Sequence, residues 1–239
     1  MAVRPKWISG AYCLMDNYNH RMIDAWGQNV HKFVTDFTSM PVDDTTGDPT
    51  EWTDTIVELG TGDSTATISD AQGGWLRINA AANENDGYTM QLKGETFKPS
   101  SGGYIYFSTK IKADEATQSD IFIGLAVTDT SPTAAVADGI YFRKIDGATA
   151  MYFVTENTNT ETATSALTFA AATEYVLEFV VDGTGTAYGY VNGSLVATHT
   201  ANIPTTELRI TIEYLNGAGT MQNKGMDVDY IRCFGIMNS

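Results

Sequence analysis

The chain has 239 residues and a formal net charge of −15, with 14 Lys and Arg against 29 Asp and Glu. This charge disfavours a nucleic-acid partner, because neutralising phosphates needs a basic face and no Lys/Arg cluster follows Lys6. Hydrophobic residues make up 43% of the chain and charged residues only 18%. Such a composition is typical of extracellular or particle-borne β-proteins, and the length suits one β-sandwich with an appendage.

The first fifty residues differ from the rest of the chain. Their aromatic residues are irregularly spaced and aliphatic residues are few, so this segment cannot bury a core alone. This segment must pack on the sandwich of its own chain or on a neighbouring protein. A short helix is predicted near residues 18–25. We therefore predict an N-terminal arm over 1–50 and a sandwich domain over 51–239. Since exposed aromatics commonly anchor interfaces, the arm residues predicted to bind a partner are Trp7, Tyr12, Tyr18 and Trp26.

Cys13 and Cys233 are the two cysteines. Residues 1–20 lack the uninterrupted apolar core of a signal peptide, and no transmembrane run is evident. In a reducing cytoplasm both cysteines are expected as free thiols, with a disulfide between them as the alternative. The acidic loop at 41–49 offers Asp43, Asp44 and Asp48 as calcium ligands. Their spacing matches no EF-hand, so we predict a solvated turn and no cofactor.

From residue 55 onwards, short apolar-rich runs alternate with turn signals, as expected of a sandwich. The predicted strands cover 55–59, 74–80, 87–92, 103–113, 120–128, 139–144, 148–154, 207–214 and 226–234. The pair Asp146-Gly147 predicts a hairpin between two of them. No helix of normal length is predicted after residue 50.

The clearest stretch is the predicted three-stranded meander at 174–200, EYVLEFVVDGTGTAYGYVNGSLVATHT. In its first strand Tyr175, Leu177, Phe179 and Val181 share one face, which is the period of a strand with one buried side. The pair Asn192-Gly193 is the strongest short-range hairpin signal, because both central residues of a type I′ turn need positive φ.

The run LEFVVDGTGTAYGYVNGSLV resembles the late strands of concanavalin A-like and laminin-G-like sandwiches, and the likeness extends over roughly residues 55–235. It implies an all-β fold, an antiparallel jelly-roll β-sandwich carrying the N-terminal arm. Together with the arm, DGIYFRK at 138–144 and the closing VDYIRCFG also resemble virion structural proteins of tailed bacteriophages.

This second resemblance implies a non-enzymatic capsid decoration or cement protein that stabilises the assembled head. Its partner would be the major capsid protein or another virion protein. The resemblance further implies a homo-oligomer, with a trimer favoured, that is made in the host cytoplasm and located in the virion. Neither a nucleic acid nor a membrane is expected as a partner.

The alternative is a lectin-like, carbohydrate-binding module used in host attachment, with surface glycans as partners. Such sites combine aromatic stacking with Asp or Asn hydrogen bonds. Each candidate is equally explained by ordinary packing in strands. The candidates are Trp52, Trp75, Tyr88, Tyr104, Tyr106, Tyr214 and Asn216.

The sequence lacks the common catalytic patterns. A laminarinase-like enzyme needs carboxylates in an E-x-D-x-x-E run on one strand, which this sequence lacks. Glu174 and Glu178 lie four residues apart and are interpreted as solvent-facing. The three histidines are far apart, and no G-x-S-x-G run or phosphate loop occurs. The sequence therefore predicts no catalytic, metal-binding or cofactor-binding residues, and a protein that is not an enzyme.

Overall fold

A computed structural model describes residues 3–16, 20–42, 44–45, 47–58, 64–69, 72–217 and 224–238 of the chain. They form β1 (Arg4–Ile8), β2 (Ala11–Met15), β3 (Met22–Trp26), β4 (Val30–Thr35), β5 (Trp52–Val57), β6 (Thr65–Ser69), β7 (Trp75–Asn79), β8 (Gly87–Leu92), β9 (Tyr104–Ala113), β10 (Ser119–Ala126), β11 (Gly139–Lys144), β12 (Ala150–Asn157), β13 (Thr160–Thr168), β14 (Tyr175–Val181), β15 (Ala187–Val191), β16 (Ser194–His199), β17 (Arg209–Asn216) and β18 (Gly225–Ile236). In these ranges no helix is long and apolar enough to cross a membrane.

The strands are antiparallel and form three sheets. An eight-stranded sheet has the order β16-β15-β14-β9-β18-β7-β6, and β4 also pairs with β18. A seven-stranded sheet has the order β13-β12-β11-β10-β17-β8-β5, and β1, β2 and β3 form a small sheet. The predicted antiparallel β-sandwich is confirmed.

The main core lies between the two large sheets. Leu177 and Phe179 are 0% exposed there and Val181 is 2% exposed, so the buried face predicted for β14 is confirmed. The Phe107 ring stacks on Phe179 with 4.9 Å between ring centroids. The hairpin between β15 and β16 is also confirmed, because Asn192 and Gly193 have φ values of 49° and 82°.

The three-stranded sheet covers the outer face of the eight-stranded sheet. Its inner side chains pack against side chains of the sheet beneath it, and together they form the second apolar cluster. This cluster consists of Ala11, Cys13, Met15, Met22, Ala25, Tyr106, Val180, Phe234 and Ile236. The first fifty residues thus supply this covering sheet and β4, which pairs along Ile231 to Ile236 of β18.

The helix predicted near residues 18–25 is wrong where the structure describes it, because Met22–Trp26 is strand β3. A bulge shifts the β2–β3 register between Leu14 and Met15. The bulge lets Met22 and Ala25, three residues apart, both face the covered side. The bulge therefore replaces the strict alternation expected of a strand by a spacing of three, which resembles the period of a helix.

Arg21 ties the covering sheet to the sheet beneath it. Its Nε donates to Glu178 Oε1 at 2.7 Å and its Nη2 donates to Oε2 at 2.8 Å. The hydroxyl of Tyr106 donates to Glu178 Oε1 at 3.0 Å. Glu178 is 0% exposed, so its interpretation as solvent-facing is wrong. Burial alone would raise the pKa of Glu178, but hydrogen bonds from His20 and Arg21 lower it.

The two cysteines are buried free thiols, as predicted. Cys233 packs in the main core, whereas Cys13 packs beneath the covering sheet. The eight-stranded sheet therefore separates them. Burial raises the pKa of both thiols, which keeps them protonated and chemically inert at neutral pH.

Truncating Phe179 to Ala should remove the centre of the main core. We expect the free energy of unfolding to fall by about 3–5 kcal/mol, measured by urea denaturation. Leu195→Ala is the matched control, because Leu195 is 55% exposed. It should change stability by no more than about 0.5 kcal/mol. Equal losses for the two variants would contradict the assignment of the core.

Candidate functional site

The outer face of the seven-stranded sheet carries an open groove at one end. Strand register places Val57, Gly87, Leu215 and Asp120 in one row across β5, β8, β17 and β10. Gly87 is needed in this row, because a Cβ there would clash with the carbonyl oxygen of Tyr214. The groove has a volume of about 460 Å³, within the usual range of ligand sites. We call it the acidic groove; its lining residues are Val57, Asn85, Asp120, Ser131, Thr133, Ala134, Ile145, Asp146 and Leu215.

One wall of the acidic groove comes from the loop at 127–138, which crosses the same face of the sheet. The loop is fixed by buried polar contacts. Thr133 donates its N–H to Glu213 Oε2 at 2.8 Å, and Thr89 Oγ1 donates to Glu213 Oε1 at 2.7 Å. Gln91 donates to the carbonyl oxygen of Val127 at 3.1 Å. Because the loop covers Glu213 completely, the open part of the groove lies beside Asp120.

Asp120 is the carboxyl group at the floor of the groove. It is 5% exposed, and its Oδ1 accepts the backbone N–H of Asp146 at 2.7 Å. Burial raises the pKa of Asp120 to about 6, and the negative charge of Asp146 adds to the rise. A carboxyl group with a pKa near neutrality can donate or accept a proton under physiological conditions.

Lys144 lies behind the floor, on the core side of the sheet. Its Nζ donates to the carbonyl oxygens of Ser119 at 2.5 Å and Thr117 at 3.3 Å. Burial lowers the pKa of Lys144 to about 8, while Asp120 and Asp146 act in the opposite direction. The lysine thus anchors the start of β10, from which Asp120 projects.

Two other carboxyl groups on this face are covered. Glu213 lies under the loop, and Glu156 accepts a hydrogen bond from the hydroxyl of Tyr141 at 2.5 Å. Burial raises the pKa of both carboxyl groups. Within the described residues, the carboxylates that line the acidic groove are therefore those of Asp120 and Asp146.

The aromatic candidates for a sugar site lie elsewhere. Trp52, Tyr88 and Tyr214 pack in the main core, and Tyr104 and Tyr106 lie under the covering sheet. Trp75 is half-buried, with the ammonium groups of Lys110 and Lys112 at 4.8 and 5.2 Å from its ring centroid. Asn216 is buried and donates to the carbonyl oxygen of Ala81.

The predicted partner-binding residues are brought together in part. Trp7, Tyr12 and Trp26 lie in one row on the outer face of the covering sheet. Tyr18 lies outside the described residues, as does Asp43 of the acidic loop. The described residues contain no group of three or more His, Cys, Asp or Glu side chains arranged to hold a metal ion.

Sequence reasoning missed Asp120 and Asp146. Asp120 is the second residue of β10 and Asp146 belongs to a turn, and both positions are typical of solvated aspartates. Their proximity arises from the pairing of β10 with β11, which brings Ile121 opposite Lys144. The available signal was the predicted hairpin at Asp146-Gly147. Pairing the first strand of that hairpin with the strand that precedes it in the sequence would have placed Asp146 next to Asp120.

No protein-family model matches the sequence, and no curated protein matches it significantly. Solved structures do share the fold. An endo-1,3-β-glucanase from Streptomyces sioyaensis has a TM-score of 0.62 and 12% identity, covering 89% of this chain and 99% of its own. A β-glucanase from Bacillus licheniformis has a TM-score of 0.60 and 17% identity, covering 84% and 97%. The carbohydrate recognition domain of Emp47p has a TM-score of 0.57 and 11% identity, covering 85% and 97%.

These similarities establish the class of fold, a concanavalin A-like jelly-roll β-sandwich, as the sequence predicted. They also correct two expectations. The interpretation as a capsid decoration protein is wrong, because the structures that share the fold include glucanases and a carbohydrate recognition domain. The expectation of a protein that is not an enzyme is contradicted in the same way, because two glucanases share the fold. That expectation was based on the absence of an E-x-D-x-x-E run on one strand, but carboxylates from a strand and a turn can also meet in one groove, as Asp120 and Asp146 do.

The raised pKa of Asp120 gives a pH-dependent prediction. The folded state favours the protonated carboxyl group of Asp120. The stabilisation that this group contributes is therefore complete below about pH 4 and is lost as the pH rises through about 6. Asp120→Asn cannot ionise. As the pH increases from 4 to 7, the free energy of unfolding of this variant should increase by about 1–2 kcal/mol relative to that of the parent. This value includes a reduction for screening by water in the groove.

Urea denaturation across this pH range measures the difference. Glu174→Gln is the control, because it removes a carboxylate whose side chain is 54% exposed. A constant difference between Asp120→Asn and the parent at all pH values would show that Asp120 titrates normally.

Proposed function

We propose that the chain is a carbohydrate-active jelly-roll domain that binds a glycan chain in the acidic groove. A pyranose ring presents hydroxyl groups at its rim and C–H groups on its faces, so its site needs polar and apolar groups side by side. The acidic groove has this composition. Its polar groups are Asn85, Asp120, Ser131, Thr133 and Asp146, and its apolar groups are Val57, Ala134, Ile145 and Leu215.

The fold adds support without deciding the function. Related sandwiches include an endo-1,3-β-glucanase and a carbohydrate recognition domain, and both are similar to this chain over more than four fifths of its length. One fold hosts many activities. The proposal therefore depends on the groove and on the convergence of Asp120 and Asp146 within it.

A second candidate, hydrolysis of the bound glycan, is favoured by the pKa of Asp120. Glycoside hydrolysis uses one carboxyl as an acid and another as a base or nucleophile. Asp120 would transfer its proton to the glycosidic oxygen of the departing sugar. Asp146 would either accept a proton from the attacking water or attack the anomeric carbon itself.

Binding is tested by calorimetric titration with β-1,3-glucan oligosaccharides. Asn85→Ala and Asp146→Asn should each weaken binding by about tenfold, because each loses hydrogen bonds to sugar hydroxyls. Glu174→Gln removes one negative charge immediately before β14, a strand of the other large sheet, and should bind like the parent. Similar affinities for all three variants would place the sugar elsewhere and overturn the assignment of the groove.

Hydrolysis is tested by the release of reducing ends from the same oligosaccharides. The rate should fall as the pH rises above about 6, as Asp120 loses its proton. Asp120→Asn should lose about a hundredfold or more in rate. If this variant releases sugar at the parent rate, or if the parent binds and releases none, the hydrolytic candidate is excluded and the binding proposal stands.

A further inference from the structure

A cleft opens on the outer face of the eight-stranded sheet, beside the contact between Arg21 and Glu178. Strand register aligns five residues across β4, β18, β9, β14 and β15, namely Val34, Arg232, Ser108, Glu178 and Tyr190. The covering sheet segment reaches this row at Arg21, which binds Glu178. The space beside that contact has a volume of about 190 Å³. We call it the arginine cleft; the residues that line it include Ile23, Ser108, Val176, Tyr230 and Arg232.

Arg232 has a guanidinium group without a partner among the described residues. It forms none of their ion pairs. Its Nε is buried and has no hydrogen-bond acceptor, and its Cζ lies 5.1 Å from the ring centroid of Tyr230. The other half-buried arginines of the sandwich, Arg77, Arg143 and Arg209, each pair with a carboxylate. Because an unpaired buried donor is costly, Arg232 is placed for an acceptor that the chain does not supply.

The two carboxylates of the arginine cleft lie on the side of Arg21 and not beside Arg232. Glu178 accepts two hydrogen bonds from Arg21 and one from Tyr106. The Oδ2 of Asp16 lies 3.8 Å from Arg21 Nε. Strand β9 separates β14 from β18, so the backbones that carry Glu178 and Arg232 are about 10 Å apart. An anion that pairs with Arg232 therefore does not have to contact either carboxylate.

Other groups of the cleft suit a ligand that is part polar and part apolar. The hydroxyl oxygens of Ser108 and Tyr230 lie 3.2 Å apart, and either one can be the donor. When Ser108 donates, the hydroxyl of Tyr230 can donate to a ligand oxygen. The half-buried side chains of Ile23 and Val176 supply an apolar wall.

We propose that the arginine cleft binds a small organic carboxylate. The carboxylate group forms two parallel hydrogen bonds with the guanidinium of Arg232 and accepts a third from the hydroxyl of Tyr230. The apolar body of the ligand contacts Ile23 and Val176. Since a cavity of about 150 Å³ holds benzene, the cleft accommodates a body of about six heavy atoms beside the carboxylate. The cleft and the acidic groove lie on different large sheets, so this inference does not depend on the glycan proposal.

The test is an NMR titration of the full chain with benzoate, which follows the Nε–H signal of Arg232 and the backbone amides of Ser108 and Tyr230. The spectrum of Arg232→Gln lacks the Nε–H signal and so assigns it. Benzoate should shift all three signals with a Kd of about 1 mM, which is reasonable for so small a ligand. Arg232→Gln should weaken binding by about tenfold or more. Tyr230→Phe keeps the ring, loses the hydroxyl and should weaken binding by about threefold.

Arg143→Gln is the matched control, because it removes the same charge from β11 on the other large sheet and should bind like the parent. Since Arg232 has no partner among the described residues, its replacement should leave the urea midpoint unchanged, and Tyr230→Phe tests the site independently. Acetate and sulfate lack the apolar body and should each bind about tenfold more weakly than benzoate. The proposal is overturned if benzoate shifts none of the three signals, if both cleft variants bind like the parent, or if acetate or sulfate binds as tightly as benzoate.

Discussion

The eight-stranded sheet is apolar on both faces, and this constraint organises the molecule. In β9 the residues Ile105 and Phe107 face the main core, while Tyr104 and Tyr106 face the other side. A strand that is apolar on both faces must be covered on both, or it exposes a large apolar surface to water. The seven-stranded sheet covers one face and the strands β1 to β3 cover part of the other. The covering sheet is therefore a structural layer of the sandwich and not an accessory.

The segment that forms the covering sheet also supplies the partner of a buried charge. Glu178 points away from the main core into the contact between the eight-stranded sheet and the covering sheet, where an unpaired carboxylate would be costly. Arg21 meets it with two hydrogen bonds, and Tyr106 adds a third. Removing Arg21 would take away the two hydrogen bonds of the guanidinium and leave the carboxylate buried, which destabilises more than the intact pair stabilises. The pair thus fixes how the covering sheet is placed on the sheet beneath it.

Sequence patterns predicted the fold where strands carry regular apolar alternation and glycine turns. Strands β8 and β11 begin and end at the predicted residues, and Asn192-Gly193 forms the predicted turn. Strand β13, TETATSALT, was missed because it is an edge strand with few apolar residues. The burial of Glu178 could not be predicted, since its partner Arg21 is 157 residues away in sequence. The acidic groove was missed for the same reason: its residues come from distant turns and strand ends that meet only through register.

The place of β18 in the sheet bears on how the chain folds. This strand lies between β9 on one side and β7 and β4 on the other, and its pairing with β4 joins Ile236 to Val30. The pairing at the centre of the sheet therefore joins segments that are about two hundred residues apart in sequence. Such distant pairings raise the contact order of the fold, which implies slow folding. Until β18 has been synthesised, β9 and β7 keep unpaired edges, and β4 has no sheet to join. During that interval the nascent chain exposes apolar strands that are prone to aggregate, so it folds late and as a unit.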